Sequence, residues 1–235
     1  MENIRRFKSV KKLTIENDVL ERDMWVNKGI LCGIDEVGRG CLAGPVIASA
    51  VVLKPGSTSP LLKDSKEMLE SERVLAYNWV LEHGFVGIGV IDHRAIDRYN
   101  IYRATQFAMK RALSQLMAQL NQPISQIVVD AMPLVFSGQI YKDIPITSFP
   151  FAESRSISVA AASIVAKVTR DRLMATVEQS MPGYGLSGHK GYGTSEHNAA
   201  IVAHGASIIH RETFLKKLYD SRVMYRYGKQ KELFG

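Results

Sequence analysis

The sequence predicts an α/β domain, a sheet with helices packed against it, and three observations carry that prediction. Two β-rich segments, Ile30 to Asp35 and Val46 to Leu53, flank a turn containing Gly38, Gly40, Gly44 and Pro45, as a hairpin requires. The stretch "ISQIVVDAMPL" is a continuous apolar run ending at Asp130, the pattern of a strand covered on both faces. Between and after these segments lie long stretches with apolar residues at helical spacing.

The remaining elements follow in order. In "KDSKEMLESERVLAYNWVLEHG" the hydroxyl of Ser65 or the carboxylate of Asp64 is placed to cap a helix that ends before Gly84, and a third strand is expected from Gly84 to Ile91. A helix from about Ile101 to Leu120 puts Ala104, Phe107, Ala108, Ala112, Leu116 and Leu120 on one face, with Phe107 and Met109 read as core. A strand near "IPITSFP" follows the Asp130 strand. The small-residue segment "ISVAAASIVAKVTRDRLMATVEQS" then predicts a helix that packs closely on the sheet and stops before Pro182. The last quarter, richer in glycine and basic polar groups, reads as an appended lobe with two short helices beside a cleft.

With 235 residues, 46% of them hydrophobic, the chain has enough apolar material for one large domain or one domain with a helical appendage. Thirty Lys plus Arg against twenty-three Asp plus Glu leave a net charge of +7, which favours polyanionic partners. Cys32 and Cys41, the two cysteines, have no metal-site or disulfide-framework spacing. The charged amino end lacks an apolar signal core, and no stretch reaches the ~18 apolar residues of a spanning helix. These features lead us to expect a soluble cytoplasmic protein with no membrane partner, and a monomer.

Acidic residues at the carboxyl ends of sheet strands face the crevice where ligands bind, and Asp35 and Asp130 both hold that position. Carboxylates grouped without His or Cys are hard oxygen ligands suited to Mg²⁺ or Mn²⁺. Glu36 follows Asp35 directly, and neighbouring strand side chains point to opposite faces. The glycines at 38 and 40 suggest that the strand breaks there, which would let Glu36 swing in.

The blocks "GIDEVGRGCLAGPV", "LKDSKEML", "IDRYNIYRATQFAMKRAL", "VVDAMPL", "SVAAASIVAKVTRDRLM", "PGYGLSGHKGYGT" and "HRETF" resemble, in order, those of the bacterial type 2 ribonucleases H, over roughly residues 28 to 215. The resemblance implies a ribonuclease H-like fold: a mixed five-stranded sheet flanked by helices, with a small C-terminal helical lobe. It divides the chain into a basic N-terminal segment (1–27), a catalytic domain (28–183) and a substrate-contacting lobe (184–235). It also implies four metal-binding acids, of which three map to Asp35, Glu36 and Asp130. The fourth, usually Asp, lies eight residues before the Ala-Ala-Ser that starts at Ala161, and falls on Glu153. One extra methylene there moves the carboxylate outward by about 1 Å, an offset large enough to affect positioned chemistry.

The implied activity is two-metal hydrolysis of the RNA strand of RNA-DNA hybrids, and cutting 5′ to ribonucleotides embedded in duplex DNA. The products are 5′-phosphate and 3′-hydroxyl ends. Discrimination must use the 2′-hydroxyl. The resemblance assigns that reading to Gly38, Arg39 and Gly40, helped by a tyrosine that maps to Tyr192, with Tyr184 as a substitute. Lys66, Lys167 and Arg170 are the candidate phosphate contacts, joined by Lys190, with an Arg170–Asp171 ion pair as the structural alternative. His189, His197 and His210 form no ligand set or triad in the sequence and are expected to be structural or phosphate-contacting. Two rival readings stand beside this one. A hybrid-preferring type 3 ribonuclease H would carry an N-terminal domain for which the residues before the first strand are too few. A non-catalytic nucleic-acid-binding protein on the same fold is the other.

Overall fold

The computed structural model describes residues 18–133 and 141–220. Its centre is a five-stranded mixed sheet in the order β3-β2-β1-β4-β5, formed by β1 (Leu31–Val37), β2 (Val46–Leu53), β3 (Gly84–Ile91), β4 (Gln126–Asp130) and β5 (Ile146–Phe149). β1, β2 and β3 form an antiparallel meander, and β4 and β5 join the other side of β1 in parallel. The predicted hairpin is thus the β1–β2 pair.

Alternation along the strands sorts two cores. Cys32, Ile34, Ala48, Ala50, Ile127 and Val129 bury one face under α3 (His93–Met117). Val51, Leu53 and neighbouring residues bury the opposite face under α2 (Glu70–His83) and α4 (Ile157–Ser180). Three glycines let helices sit directly on the sheet. A Cβ at Gly33 would stand 2.2 Å from the Ser158 backbone of α4, and one at Gly87 or Gly89 would lie 2.0 or 1.9 Å from a carbonyl oxygen of α3. This closeness explains the small-residue faces of both helices.

The structure corrects three element-level expectations. α2 starts at Glu70, because Asp64 spends its carboxylate on the Lys66 amide (3.0 Å) in a turn, while Ser65 turns away to the Ser163 hydroxyl (2.8 Å). α3 begins eight residues earlier than expected, at His93, capped by Asp92. Asn100, at φ 67°, breaks it and caps the second piece by accepting from the Arg103 amide, so the predicted start at Ile101 marks the helix after the break. Phe107 is 40% exposed and lies edge-on to Tyr99, whereas Met109 is core.

The end of the expected N-terminal segment is a helix, α1 (Val19–Val26), whose Glu21 is buried. Its Oε1 accepts from the Ser156 hydroxyl (2.5 Å) and the Ser158 amide (3.0 Å), so an anion sits at the start of α4, where the helix dipole favours it. Burial raises the Glu21 carboxyl above its usual range against those hydrogen bonds. Residues 1–17 of that segment and the aromatic-basic tail from 221 lie outside the described residues. The C-terminal lobe holds α5 (Leu186–His189), α6 (Ser195–His204) and a helix α7 over 212–220, one more than expected; Asp97 caps α7 by accepting from the Glu212 and Thr213 amides. Among the described residues no helix is long and apolar enough to cross a membrane.

Candidate active site

β1 and β4 are parallel neighbours in a register that pairs Ile34 with Val129, so the next residues of the two strands, Asp35 and Asp130, stand side by side at their carboxyl ends. Both lie on the face covered by α4. The Ser163 hydroxyl of that helix hydrogen-bonds Asp35. Ser163 has one proton to donate, so the 2.8 Å contact with Ser65 runs from Ser65 to Ser163, giving a relay that fixes the Asp35 carboxylate. Asp35 Oδ1 also accepts from the Glu36 amide at 2.7 Å. Asp130 is braced by the Ala152 amide, which donates to its Oδ1 at 3.0 Å.

Glu36 has one oxygen on Arg39 Nη1 at 3.2 Å, while its Oε2 is buried without a hydrogen-bond partner among the described residues. Glu153 sits on the short 3-10 turn Ala152–Ser154, and its Oε2 is equally bare. That turn follows Phe151, held at φ 60°, and Ala131 after Asp130 has φ 48°. Left-handed backbone at non-glycine positions is strained, and it flanks both acids.

Burial pushes the Asp35 carboxyl well above its usual range, and the charges of Glu36 and Asp130 add to this, against the Ser163 hydrogen bond. Burial likewise raises Glu36, with Arg39 opposing and Asp130 adding. Glu153 is raised by burial and by the charges of Asp130 and Asp64, with Lys66 opposing. The four predicted acids therefore share one electrostatic neighbourhood, with Lys66 at its edge. Such a set of acceptor-only oxygens, two of them bare, fits a divalent cation. As the side chains stand, no group of three among the described residues forms a ready-made metal-binding cluster, so the site is more open than a closed ligand shell. Ser163, Ser65 and Asp64 were not predicted as site residues. Ser163 was within reach of the sequence, because it lies one helical turn before Lys167 on the same face.

The Gly38-Arg39-Gly40 turn leaves β1 beside these acids, with Arg39 and Gly40 exposed. Gly38 has φ 91°, and a Cβ there would stand 2.3 Å from Arg170 Nε, so this position requires glycine. Tyr192, 38% exposed, hydrogen-bonds Cys41 at the far side of the turn and lies under Lys167 Nζ, 5.9 Å from the ring centroid. Tyr184 instead donates to the Gly205 carbonyl at 3.1 Å, inside the C-terminal lobe.

Arg170 is a correction. It is fully buried, and its Nε, Nη1 and Nη2 donate to the carbonyls of Pro45 (3.0 Å), Lys190 (2.7 Å) and Ala43 (3.0 Å), so it has no face for a phosphate. Its predicted partner Asp171 pairs with Lys167 at 2.8 Å, a contact that leaves Lys167 partly exposed. Lys190 folds back onto the Ser187 carbonyl. His210 and His197 form a structural chain, and burial lowers the pKa of both, which favours their neutral rings. The Ser207 amide donates to His210 Nδ1 at 2.9 Å, so His210 Nε2–H donates to His197 Nε2 (3.0 Å) and His197 Nδ1–H to the Tyr192 carbonyl (2.9 Å).

The sequence model of the family "Ribonuclease HII" matches residues 32–219. The chain belongs to the ribonuclease HII family. It is 45% identical over 195 residues to a ribonuclease HII of Levilactobacillus brevis, covering 83% of this chain and 72% of that one. As a member of this family the protein is an endoribonuclease, a hydrolase of the ribonuclease H type. Its fold is similar to that of ribonuclease H2 from Pyrococcus horikoshii, with a TM-score of 0.64 at 21% identity over 82% of this chain and 98% of that one. It is also similar to Bst-RNase HIII solved in complex with Mn²⁺, with a TM-score of 0.62 at 21% identity over 82% and 70%. Membership of ribonuclease HII sets aside the type 3 and the non-catalytic readings.

Proposed function

We propose that this ribonuclease HII hydrolyses the RNA strand of RNA-DNA hybrids and cuts 5′ to ribonucleotides embedded in duplex DNA, using two divalent cations, Mg²⁺ or Mn²⁺, held by Asp35, Glu36, Asp130 and Glu153. One observation carries the reading: Asp35 and Asp130 stand side by side on adjacent parallel strands, with the bare oxygens of Glu36 and Glu153 in the same electrostatic neighbourhood. Bound cations supply an acidified water and neutralise charge on the leaving oxygen. The chain's own part is orientation. Ser65 and Ser163 hold Asp35, the Ala152 amide holds Asp130, and Arg39 holds Glu36 until a cation competes for it. Lys66 and Lys167 hold substrate phosphates, while the turn 38–40 and Tyr192 read the sugar. All these residues come from one chain, so the reading takes a monomer as sufficient.

The test is a calorimetric titration with Mg²⁺ and Mn²⁺ beside cleavage of a long RNA-DNA hybrid. Cation binding to the protein, and cleavage that stops with a chelator and returns with either ion, is the expected result. Cleavage that persists undiminished in excess chelator would refute the metal assignment.

A further inference from the structure

The selectivity proposed above needs a turn whose outward groups are fixed in advance. Beneath that turn lies Arg211, a residue of the C-terminal lobe that is fully buried and has no carboxylate partner among the described residues. Its Nη2 donates to the Gly38 carbonyl (2.7 Å) and the Gly44 carbonyl (2.9 Å), its Nη1 to the Arg39 carbonyl (2.9 Å), and its Nε again to Gly44 (3.0 Å). Burial lowers its pKa to about 10, so the guanidinium is still a cation at neutral pH.

Every peptide bond in the described chain is trans. In a trans peptide the carbonyl of one residue and the N–H of the next point in opposite directions. With the Gly38 and Arg39 carbonyls drawn inward onto Arg211, the Arg39 and Gly40 amides point outward, and neither has a hydrogen-bond partner among the described residues. The buried cation thus turns the backbone into a two-donor face suited to an oxygen acceptor.

The anchoring extends around the loop. The Arg211 amide donates to the Leu42 carbonyl (2.8 Å), Gly44 donates to the Ile209 carbonyl (3.0 Å), and Ala43 bridges His210. From the other side Arg170 ties Ala43 and Pro45 to Lys190, two residues before Tyr192, and Leu42 donates to the Gly191 carbonyl (2.8 Å). Turn and tyrosine are therefore held as one unit by two guanidiniums from outside it.

We infer that Arg211 is a positioning residue for substrate selectivity: by holding the Gly38 and Arg39 carbonyls inward it aims the Arg39 and Gly40 amides at the 2′-oxygen of an isolated ribonucleotide. This rests on the reading that the turn recognises that sugar.

The experiment compares kcat/KM on a DNA duplex with one ribonucleotide and on a long RNA-DNA hybrid, where many riboses are offered. It uses the unmodified protein, Arg211→Lys and Arg211→Ala, each assayed well below its melting temperature. The ratio of the two values is expected to fall by about tenfold or more in both variants, and millimolar guanidinium is expected to restore it partly in Arg211→Ala alone. Loss of folded protein lowers both substrates equally and leaves the ratio alone, so an unchanged ratio overturns the inference. Should both variants fail to fold, amide exchange of the unmodified protein, metal removed so that nothing is cut, decides the matter. Protection of Arg39 and Gly40 by the single-ribonucleotide duplex but not by all-DNA duplex supports the inference, and no protection overturns it. If the unmodified protein binds and cuts the hybrid but not the single-ribonucleotide duplex, the reading of the turn itself fails, before any variant is made.

Discussion

Alanine at Gly38 and alanine at Gly40 are the same change two residues apart, yet they should have opposite consequences. At Gly38 the backbone has φ 91°, and a Cβ would stand 2.3 Å from Arg170 Nε and 2.9 Å from the Pro45 carbonyl. Forcing a side chain into that conformation costs about 1–2 kcal/mol. Displacing the guanidinium endangers its Nε bond to Pro45, a charge-assisted contact worth about 1.5–3 kcal/mol. The expected destabilisation is therefore about 2.5–5 kcal/mol, a fall in melting temperature of roughly 5–20 °C for a chain of this size. At Gly40 no atom lies within 4 Å of the added methyl and φ is outside the left-handed region, so stability should stay within about 0.5 kcal/mol. If the substrate sugar packs on this open backbone, Gly40→Ala should nevertheless lose about tenfold or more in kcat/KM on a single-ribonucleotide duplex. Calorimetric melting and the cleavage assay together check the pair. A Gly38→Ala protein that melts with the unmodified one, or a Gly40→Ala protein that is both stable and fully active, would refute the reasoning.

Asp130→Asn keeps the Oδ1 that accepts from the Ala152 amide but removes the charge; cleavage should be abolished while substrate affinity, measured by fluorescence anisotropy, stays within roughly tenfold. Glu153→Asp should keep or raise cleavage, and a kinetic assay showing it abolished would exclude Glu153 as the fourth acid. The third concerns pH and stability. Burial and neighbouring His197 lower the His210 pKa to about 4, from an unfolded value of ~6.5, and the residue is 2% exposed. The unfolded chain thus takes up the proton first, so this contribution is complete above pH ~6.5, declines as pH falls toward ~4 and is flat below, a total of about 3 kcal/mol. The raised carboxyls of Asp35, Glu36 and Glu153 act in the opposite sense. The quantity to measure is therefore the stability difference between unmodified protein and His210→Gln by denaturant unfolding, which should shrink between pH 6.5 and 4.

Elements whose signal is local were legible in the sequence. β2, β3 and α4 fall on the expected residues because apolar runs, glycines and Pro182 mark their ends. The start of α2 was not, since Asp64 and Ser65 had partners outside the helix: the Lys66 amide and the Ser163 hydroxyl. The carboxylates at 35 and 130 could be read as crevice residues from strand ends alone, but their adjacency depends on β1 and β4 being parallel neighbours, which is tertiary information. Arg170 shows the limit most clearly. A basic residue one helical turn from Lys167 looks like a phosphate contact, and only burial against three carbonyls makes it a brace. Arg211 lay within the quoted block "HRETF", yet its bond partners are more than 160 residues away in sequence, beyond any local pattern.

The most direct measurement of the central claim is gel mapping of cleavage on a DNA duplex containing one ribonucleotide, with Mg²⁺ and Mn²⁺ in parallel and an all-DNA control. The account predicts one cut, on the 5′ side of the ribonucleotide, leaving 5′-phosphate and 3′-hydroxyl ends, and no cut in the control. Cutting of the all-DNA duplex, or no cut beside the ribonucleotide while a long hybrid is degraded, would contradict it.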